Sequence, residues 1–296
     1  QKVANPEMRA KFEAAWGVEL NRAAGLKATE CFPAMIDGRI RGLFLFGEDP
    51  VRTDPDTGHV IRALESLDFF VCEELFMTET AKYADVILPG RSYAEKEGTF
   101  TNTERRVQRV RKAVDGPAGA RLDTEVFADI MRRMGYDQAT LTGAQLMDEV
   151  ASLTPSYAGI SHARLDSAVV AGQGLQWPCT GPDHPGTRIM HEGAFSRGLG
   201  GYSLAQYRPS AEQPDEEFPL VMMTGRVLAQ YNAQAMTGRT EGLNQIDGTS
   251  FIEINDVDAA AAGIADGDRV RVSSRRSVIE SRARVSGKTN PGEVWM

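Results

Sequence analysis

Side chains that bind polar ligands are concentrated in residues 97–106, which follow an apolar segment ending at Pro89-Gly90. This stretch carries carboxylates, threonine hydroxyls, an amide and two guanidinium groups, and a guanidinium pairs with phosphate or carboxylate through two hydrogen bonds. Residues 86–88 have the composition of a short buried strand. Loops at the carboxyl ends of parallel strands are where open α/β sheets bind ligands. The sequence therefore predicts a ligand-binding loop over residues 97–106.

Two other apolar segments also end in polar residues. Residues 41–46 lead into Gly47-Glu48-Asp49-Pro50, and residues 69–72 lead into Glu73-Glu74. Carboxylates at a strand end accept hydrogen bonds from a guanine or a ribose. A solvated strand end and an ordinary type I turn are the simpler interpretations of the same residues.

Asp123 stands at the start of a further helix, predicted over residues 122–134. It is a good N-cap residue, and its carboxylate could instead face a ligand. Helices are also predicted over 7–25, with Gly25 as C-cap, and near 57–67. The alternation of strands and helices predicts a parallel sheet whose loops converge on one edge. The G-x-G-x-x-G dinucleotide fingerprint does not occur after any strand.

The composition and the predicted secondary structure of the chain change twice along its length. We predict an α/β domain over 1–150, an irregular connecting segment over 151–215, and a β-rich domain over 216–296. Short alternating strands in the last part favour a small closed barrel, with Asp256 capping a helix that ends at Gly263. The segment 224–232 follows the first of these strands. There glycine permits close backbone approach, Arg226 can pair with phosphate, and Asn232 offers both a donor and an acceptor.

Composition excludes several classes of protein. A net charge of −8 argues against nucleic acid as the main partner. No apolar run approaches the roughly 20 residues of a membrane span. The three cysteines are far apart and form no C-x-x-C pair, which suits a reducing, cytoplasmic compartment. None of the four histidines has a partner pattern, and we predict no metal ligand and no catalytic residue in this chain.

Residues 84–90 and 95–106 resemble, almost residue for residue, a segment of the molybdopterin-guanine-dinucleotide oxidoreductases, and of formate dehydrogenase catalytic subunits in particular. Residues 47–50 are similar to the Gly-x-Asn-Pro turn of that family, with Asp49 in place of Asn. Glu73-Glu74 stand where a Gln-Asp pair is usual. Residues 224–226 resemble the Thr-Gly-Arg segment that clasps a molybdopterin, and residues 176–179 look most like formate dehydrogenase.

The resemblance implies a dinucleotide-binding-like parallel-sheet domain followed by a barrel of the double-psi type. It implies bis-molybdopterin guanine dinucleotide with molybdenum or tungsten as cofactor, and formate or a similar small anion as substrate. Asp123 aligns with an aspartate that receives a guanine. The implied cofactor-binding residues are Gly47, Asp49, Pro50, Thr53, Glu73, Glu74, Pro89, Asp123, Arg226, Tyr231 and Asn232.

The sequence departs from the family pattern in what it lacks. The four-cysteine motif for a 4Fe–4S cluster, the metal ligand and the substrate-orienting arginine have no counterpart here, and the first residue is Gln1. We therefore expect a C-terminal portion of a catalytic subunit, inactive alone, with a truncated barrel. Its expected partners are the rest of that subunit and electron-transfer subunits. Another molybdenum enzyme such as assimilatory nitrate reductase, or a non-catalytic assembly subunit, remains an alternative.

Overall fold

The computed structural model describes residues 1–167, 170, 172–195, 197–248 and 250–296. Residues 168, 169, 171 and 196 of the predicted connecting segment lie outside the described residues. The elements of the first half are α1 (Pro6–Trp16), α2 (Ala28–Ile36), β1 (Gly42–Phe46), α3 (Pro50–Thr53), α4 (Thr57–Glu65), β2 (Phe69–Glu74), β3 (Val86–Pro89), β4 (Gly98–Thr101), β5 (Arg106–Val110), α5 (Asp123–Arg133) and α6 (Gly143–Leu153). The later elements are α7 (His162–Asp166), β6 (Leu175–Gln176), β7 (Val221–Met223), α8 (Glu241–Asp247), β8 (Phe251–Ile254), α9 (Asp256–Ala262), β9 (Arg269–Ser273), β10 (Val278–Val285) and β11 (Glu293–Trp295).

The first unit is built on a parallel sheet in the order β1-β2-β3. Both strand pairs are parallel, as predicted from the alternation of strands and helices. One sheet face buries Phe70 and Cys72 against Val60 and Leu64 of α4. Full burial of a side chain such as Phe70 contributes about 2–3 kcal/mol. This core fixes the sheet whose carboxyl edge carries the predicted ligand residues.

The segment predicted as a ligand-binding loop is a β-hairpin. Strands β4 and β5 pair antiparallel, with Gly98 opposite Val110 and Thr101 opposite Val107. The Asn102 side-chain oxygen closes the turn by accepting from the backbone N–H groups of Glu104 and Arg106. Polar residues and glycine were interpreted as a loop, but backbone pairing between residues 98–101 and 107–110 makes the segment a hairpin.

The hairpin continues into the segment predicted to be irregular. β6 adds to β5 in antiparallel fashion, and Val107, Ile160, Leu165 and Cys179 share a second core. Two short elements within this segment, α7 and β6, were not predicted. From residue 199 to 208 the chain is exposed, with Leu199 at 99% of its full exposure. The domain boundaries at 150 and 215 stay a prediction.

Two helix ends in the first unit differ from the prediction. α1 ends at Trp16, because Gly17 adopts a left-handed φ of 67° and caps the helix, so residues 18–25 are not helical. α5 begins one residue after Leu122, whose backbone N–H donates to the Glu125 side chain. Asp123 is therefore in the first turn and is not the N-cap.

The second unit is a curled, five-stranded mixed sheet in the order β7-β11-β8-β10-β9. Ile252, Ile254, Ala283 and Val294 form its core with Ala259 of α9. α9 is capped by Asn255, which accepts from Val257 N–H at 3.0 Å, instead of by Asp256; its end at Gly263 is as predicted. The fold class, a parallel-sheet α/β domain followed by a barrel-type sheet, is confirmed.

No helix in the described part of the chain combines the length and the apolar composition that crossing a bilayer requires.

Candidate functional site

The three parallel strands end side by side. Phe46 and Leu88 flank Glu73 in the register of the sheet, and Pro89 lies opposite Glu74. The turn after β1 is tied to β2, since Gly47 N–H donates to the Glu73 carbonyl at 3.0 Å. The structure therefore brings Gly47, Glu73, Glu74 and Pro89 to one edge, as the sequence predicted for strands of one parallel sheet.

The start of α5 lies at the same edge. Arg121 N–H donates to the Pro89 carbonyl at 3.1 Å, and Gly90 and Arg121 form a parallel bridge. A Cβ atom placed on Gly90 would lie 3.7 Å from Glu73 Cγ and 3.8 Å from Asp123 Oδ1. Asp123 and Glu73 thus approach each other across Gly90, and a glycine there leaves room that a side chain would fill.

The buried side chain of Asp49 stabilises the turn after β1. It is 5% exposed, and its Oδ1 accepts from Thr80 N–H at 3.0 Å and from Thr80 Oγ1 at 2.6 Å. Thr80 Oγ1 in turn accepts from Val51 N–H at 3.0 Å. The Asp49 carbonyl accepts from Thr53 N–H, and Pro50 starts the short helix α3. At least one Asp49 oxygen is therefore used inside the protein, and a cofactor contact from Asp49 stays a prediction.

Glu73 is the least satisfied polar group of the site. It is 1% exposed, and among the described residues neither of its carboxylate oxygens has a hydrogen-bond partner. Burial, with a smaller contribution from the Asp123 carboxylate, raises the pKa of Glu73 to about 7, although Lys96 and Arg121 act in the opposite direction. An unpartnered buried carboxylate costs folding free energy unless it is protonated or paired. A hydrogen-bond donor placed beside Glu73 would remove part of this cost.

Glu74 differs from its neighbour because it has an internal donor. Its Oε2 accepts from Leu75 N–H at 2.8 Å. Burial raises the pKa of Glu74, and burial also raises the pKa of the Cys72 thiol to about 11. The thiol therefore stays neutral near pH 7 and acts as a small apolar side chain.

The second part of the candidate site is the segment after β7. Arg226 donates to the Asn232 side-chain oxygen, and Tyr231 N–H donates to Thr237 Oγ1 at 3.0 Å. Asn232 adopts a left-handed φ of 49°, and the Tyr231 side chain is 70% exposed. A Cβ atom on Gly225 would lie 2.3 Å from Trp295 Nε1, so glycine is required for this close approach.

This segment contacts the sheet edge of the first unit. Arg52 Nε, on α3, donates to the Ala233 carbonyl at 2.6 Å. The Arg239 guanidinium lies 4.6 Å from the centre of the Phe76 ring, just after β2. The two groups of residues that the sequence singled out, near 47–123 and near 224–232, are therefore held next to each other.

Three residues at the sheet edge or at its contact with the segment after β7 were not among the predicted site residues. Thr80 holds Asp49, Lys96 donates to the Asp123 carboxylate, and Arg52 bridges to the second unit. Lys96 directly precedes the 97–106 segment, and the charged run 95–97 was a signal in the sequence. Thr80 and Arg52 carry no such signal because their partners are distant in sequence.

The arginines of the hairpin mostly contact the protein itself. Arg105 donates to the Trp177 and Thr187 carbonyls, with 3.0 Å to Thr187. The Arg109 side chain is 9% exposed and pairs with Asp166 at 3.2 Å. These two guanidinium groups therefore stabilise the hairpin against the segment that follows it.

Two family descriptions match this chain. "Molybdopterin oxidoreductase" matches residues 3–133, and "Molydopterin dinucleotide binding domain" matches residues 220–296. The chain belongs to the molybdopterin oxidoreductase family.

Formate dehydrogenase alpha subunits are among its relatives. The chain is 44% identical over 283 residues to F420-dependent formate dehydrogenase 2 subunit alpha of Methanococcus maripaludis, with 94% of this chain and 41% of that protein covered. It is 33% identical over 302 residues to formate dehydrogenase H of Escherichia coli, covering 100% of this chain and 42% of that protein. The chain thus spans about two fifths of the length of these curated relatives.

Among solved structures, acetylene hydratase from Pelobacter acetylenicus has the same fold, with a TM-score of 0.69 at 18% identity. The match covers 97% of this chain and 42% of that one. This likeness concerns the fold alone.

The residues present fit a pterin dinucleotide. Glu73 offers an unpartnered buried carboxylate, Gly90 leaves space beside it, and Arg226 offers a guanidinium at the neighbouring segment. Donor-bearing bases and phosphates are the chemical groups that such side chains bind.

Proposed function

We propose that this chain binds the nucleotide part of a molybdopterin guanine dinucleotide cofactor between its sheet edge and the segment after β7. The contacts from Arg52 to Ala233 and from Arg239 to Phe76 carry this proposal, because they hold the two candidate regions together. Glu73 and Asp123 would face the base, and Arg226 the phosphates. Gly47, Asp49, Pro50, Thr53, Glu74, Pro89, Tyr231 and Asn232 are the other proposed contacts.

We further propose that the enzyme containing this chain oxidises formate. The support comes from two formate dehydrogenase relatives, at 44% and 33% identity. When bound, the cofactor would supply the redox chemistry in which formate loses two electrons and one proton to give carbon dioxide. The residues of this chain would bind and orient the cofactor and keep water from the base.

Bis-molybdopterin guanine dinucleotide, molybdenum or tungsten, and a 4Fe–4S cluster in a preceding part of the subunit belong to the same proposal. So do electron-transfer subunits as partners. Cys72 and Cys179 are buried with free thiols, which suits a reducing compartment, and we propose the cytoplasm.

Metal and pterin content test this function. The subunit that contains this chain, once purified, should hold molybdenum or tungsten by mass spectrometry, release a fluorescent oxidised pterin, and reduce a viologen dye when formate is added. A subunit with neither metal nor pterin would refute the cofactor assignment. A loaded subunit that ignores formate but acts on nitrate would refute only the substrate.

A pair of arginine variants tests whether the cofactor binds between the sheet edge and the segment after β7. Arg226→Ala should lower the pterin retained per subunit several-fold, because it removes a phosphate donor. Arg22→Ala is the matched control, since Arg22 is an exposed arginine of the first unit that pairs with Glu19. Equal pterin content in both variants would contradict a role for Arg226.

A further inference from the structure

One carboxylate at the sheet edge is buried without a hydrogen-bond partner in the described part of the chain. Glu73 lies on the central strand β2 and is 1% exposed, with both oxygens unpartnered. Its side chain leaves β2 on the face opposite Cys72, because neighbouring residues of a strand alternate between the two faces. On that face it meets Gly90 and the first turn of α5. Glu73 therefore lies where β2, Gly90 and α5 meet, at the sheet edge proposed to receive the nucleotide and called the cleft below.

The second carboxylate of the cleft already has a counter-ion. The Lys96 ammonium donates to Asp123, and both side chains are less than one third exposed. The charged groups that face Glu73 are Asp123 from α5, Lys96 from the segment before β4, and Arg121 from the segment before α5. Because Lys96 is engaged by Asp123, the acceptor capacity that is free in this cleft belongs to Glu73.

We propose that Glu73 receives the base of the bound nucleotide as a carboxylate, so that nucleotide binding releases a proton from this side chain. An ionised carboxylate has two acceptor oxygens, whereas its protonated form has one donor and one acceptor. The N1–H and 2-amino groups of guanine are adjacent donors, and two parallel bonds from them would satisfy both oxygens of Glu73. The proton goes to solvent, and no covalent bond to the nucleotide forms or breaks. This inference rests on the proposed function.

The size of the coupling follows from the surroundings of Glu73. Burial, followed by the Asp123 charge, raises the pKa of Glu73 to about 7. The ionised fraction of such a group rises about tenfold between pH 6 and pH 8. If only the carboxylate binds the base, the association constant rises by the same factor of about ten, by linkage.

Isothermal titration calorimetry of guanosine diphosphate with the 296-residue chain tests the coupling. For the unaltered chain, we expect about tenfold tighter binding at pH 8 than at pH 6. At pH 7, repeating the titration in buffers of different ionisation enthalpy should show release of about half a proton. Glu73→Gln should lack this tenfold difference between pH 6 and pH 8, while Glu65→Gln, a change at an exposed residue of α4, should keep it. Ionisation of the diphosphate itself contributes equally to all three proteins.

Inosine diphosphate gives a second test that needs no variant. It lacks only the 2-amino group, so it offers Glu73 one donor in place of two. The unaltered chain at pH 8 should bind guanosine diphosphate about tenfold or more tighter than inosine diphosphate, since a good bidentate contact discriminates by about 1–3 kcal/mol. This comparison decides the question even if Glu73→Gln does not fold.

The outcomes separate the inference from the proposed function. Equal affinity for the two diphosphates, or an identical pH profile in the unaltered chain and Glu73→Gln, overturns the role of Glu73. Cofactor content measured in the whole subunit then decides the proposed function independently. Absence of any guanosine diphosphate binding at both pH values also overturns the inference, and an empty subunit in the metal and pterin assay overturns the function as well.

Discussion

Replacing Asp49 with alanine should destabilise the first unit by about 3–5 kcal/mol. The substitution removes the acceptor of two bonds, from Thr80 N–H at 3.0 Å and from Thr80 Oγ1 at 2.6 Å. Hydrogen bonds to a charged group contribute about 1.5–3 kcal/mol each. The relief of the buried carboxylate's desolvation offsets part of that sum. Thr80 N–H is left without this acceptor in a buried environment.

Asp49→Asn separates the acceptor oxygen from the charge. The asparagine carbonyl oxygen keeps both bonds, now between neutral groups, so we expect a loss of about 1–2 kcal/mol. Asp56→Ala is the control, because Asp56 is an exposed N-cap that accepts from His59 N–H at 3.1 Å, and such a cap is worth about 1 kcal/mol.

Urea unfolding at 25 °C and pH 7, followed by far-UV circular dichroism, gives the three free energies of unfolding. Asp49→Asn as damaging as Asp49→Ala would show that the charge, and not the acceptor oxygen, stabilises the turn. A loss below about 1 kcal/mol in both variants would show that the bonds to Thr80 do not stabilise the turn at all.

Three other predictions concern separate parts of the molecule. The pKa of Glu73 is about 7 in the folded protein and 4.5 ordinarily, so between these pH values the folded state binds more protons than the unfolded state. The free energy of unfolding should therefore fall by up to about 3 kcal/mol as pH rises from 4.5 through 7. Urea unfolding at pH 5 and pH 8 should show a flatter profile for Glu73→Gln; parallel profiles would contradict the raised pKa. Gly174→Ala should lower the free energy of unfolding by more than about 3 kcal/mol, because φ is +70° and the new Cβ would lie 2.4 Å from the Val107 carbonyl oxygen. Gly172→Ala is the control and should lower it by only about 1–2 kcal/mol, because φ is +78° but the space is open. Similar melting temperatures for the two variants would refute this reasoning. Arg52→Ala removes the hydrogen bond to the Ala233 carbonyl and should speed chymotryptic cleavage at Tyr231 with little change in global stability. Arg62→Ala, a change at an exposed residue of α4, should leave the cleavage rate unchanged. Equal cleavage rates in the two variants would show that this bond does not hold the segment.

The parallel sheet could be predicted from the sequence because each strand is a compact apolar run followed at once by polar residues. Strand ends of one parallel sheet share an edge, so the proximity of Gly47, Glu73 and Pro89 followed from connectivity alone. The chemical state of Glu73 did not follow. The raised pKa of Glu73 comes first from burial and then from the nearby Asp123 charge, and both depend on the tertiary structure.

The errors have local physical reasons. Residues 97–106, which contain β4 and the turn of the hairpin, were interpreted as a loop because they carry threonine, glycine and arginine. The third strand, β6, lies far along the chain and gave no local signal. The N-caps lie one residue before Asp123 and Asp256. In α5 the Glu125 side chain accepts from the N–H of the apolar Leu122, which composition does not indicate, and in α9 Asn255 precedes Asp256 and caps equally well. The helix predicted over 7–25 ends early because Gly17 can adopt a left-handed conformation, where the prediction relied on Gly25.

The pairing of β5 with β6 has a consequence for the order of folding. Arg106 lies opposite Gln176, about 70 positions further along the chain. Closing a loop of that length costs on the order of 4 kcal/mol of chain entropy before any contact repays it. During synthesis the hairpin must therefore wait for its third strand, several seconds at ribosomal speeds. We expect its turn, with Arg105 at a left-handed φ of 67°, to become rigid only after Trp177 and Thr187 have emerged to accept its guanidinium.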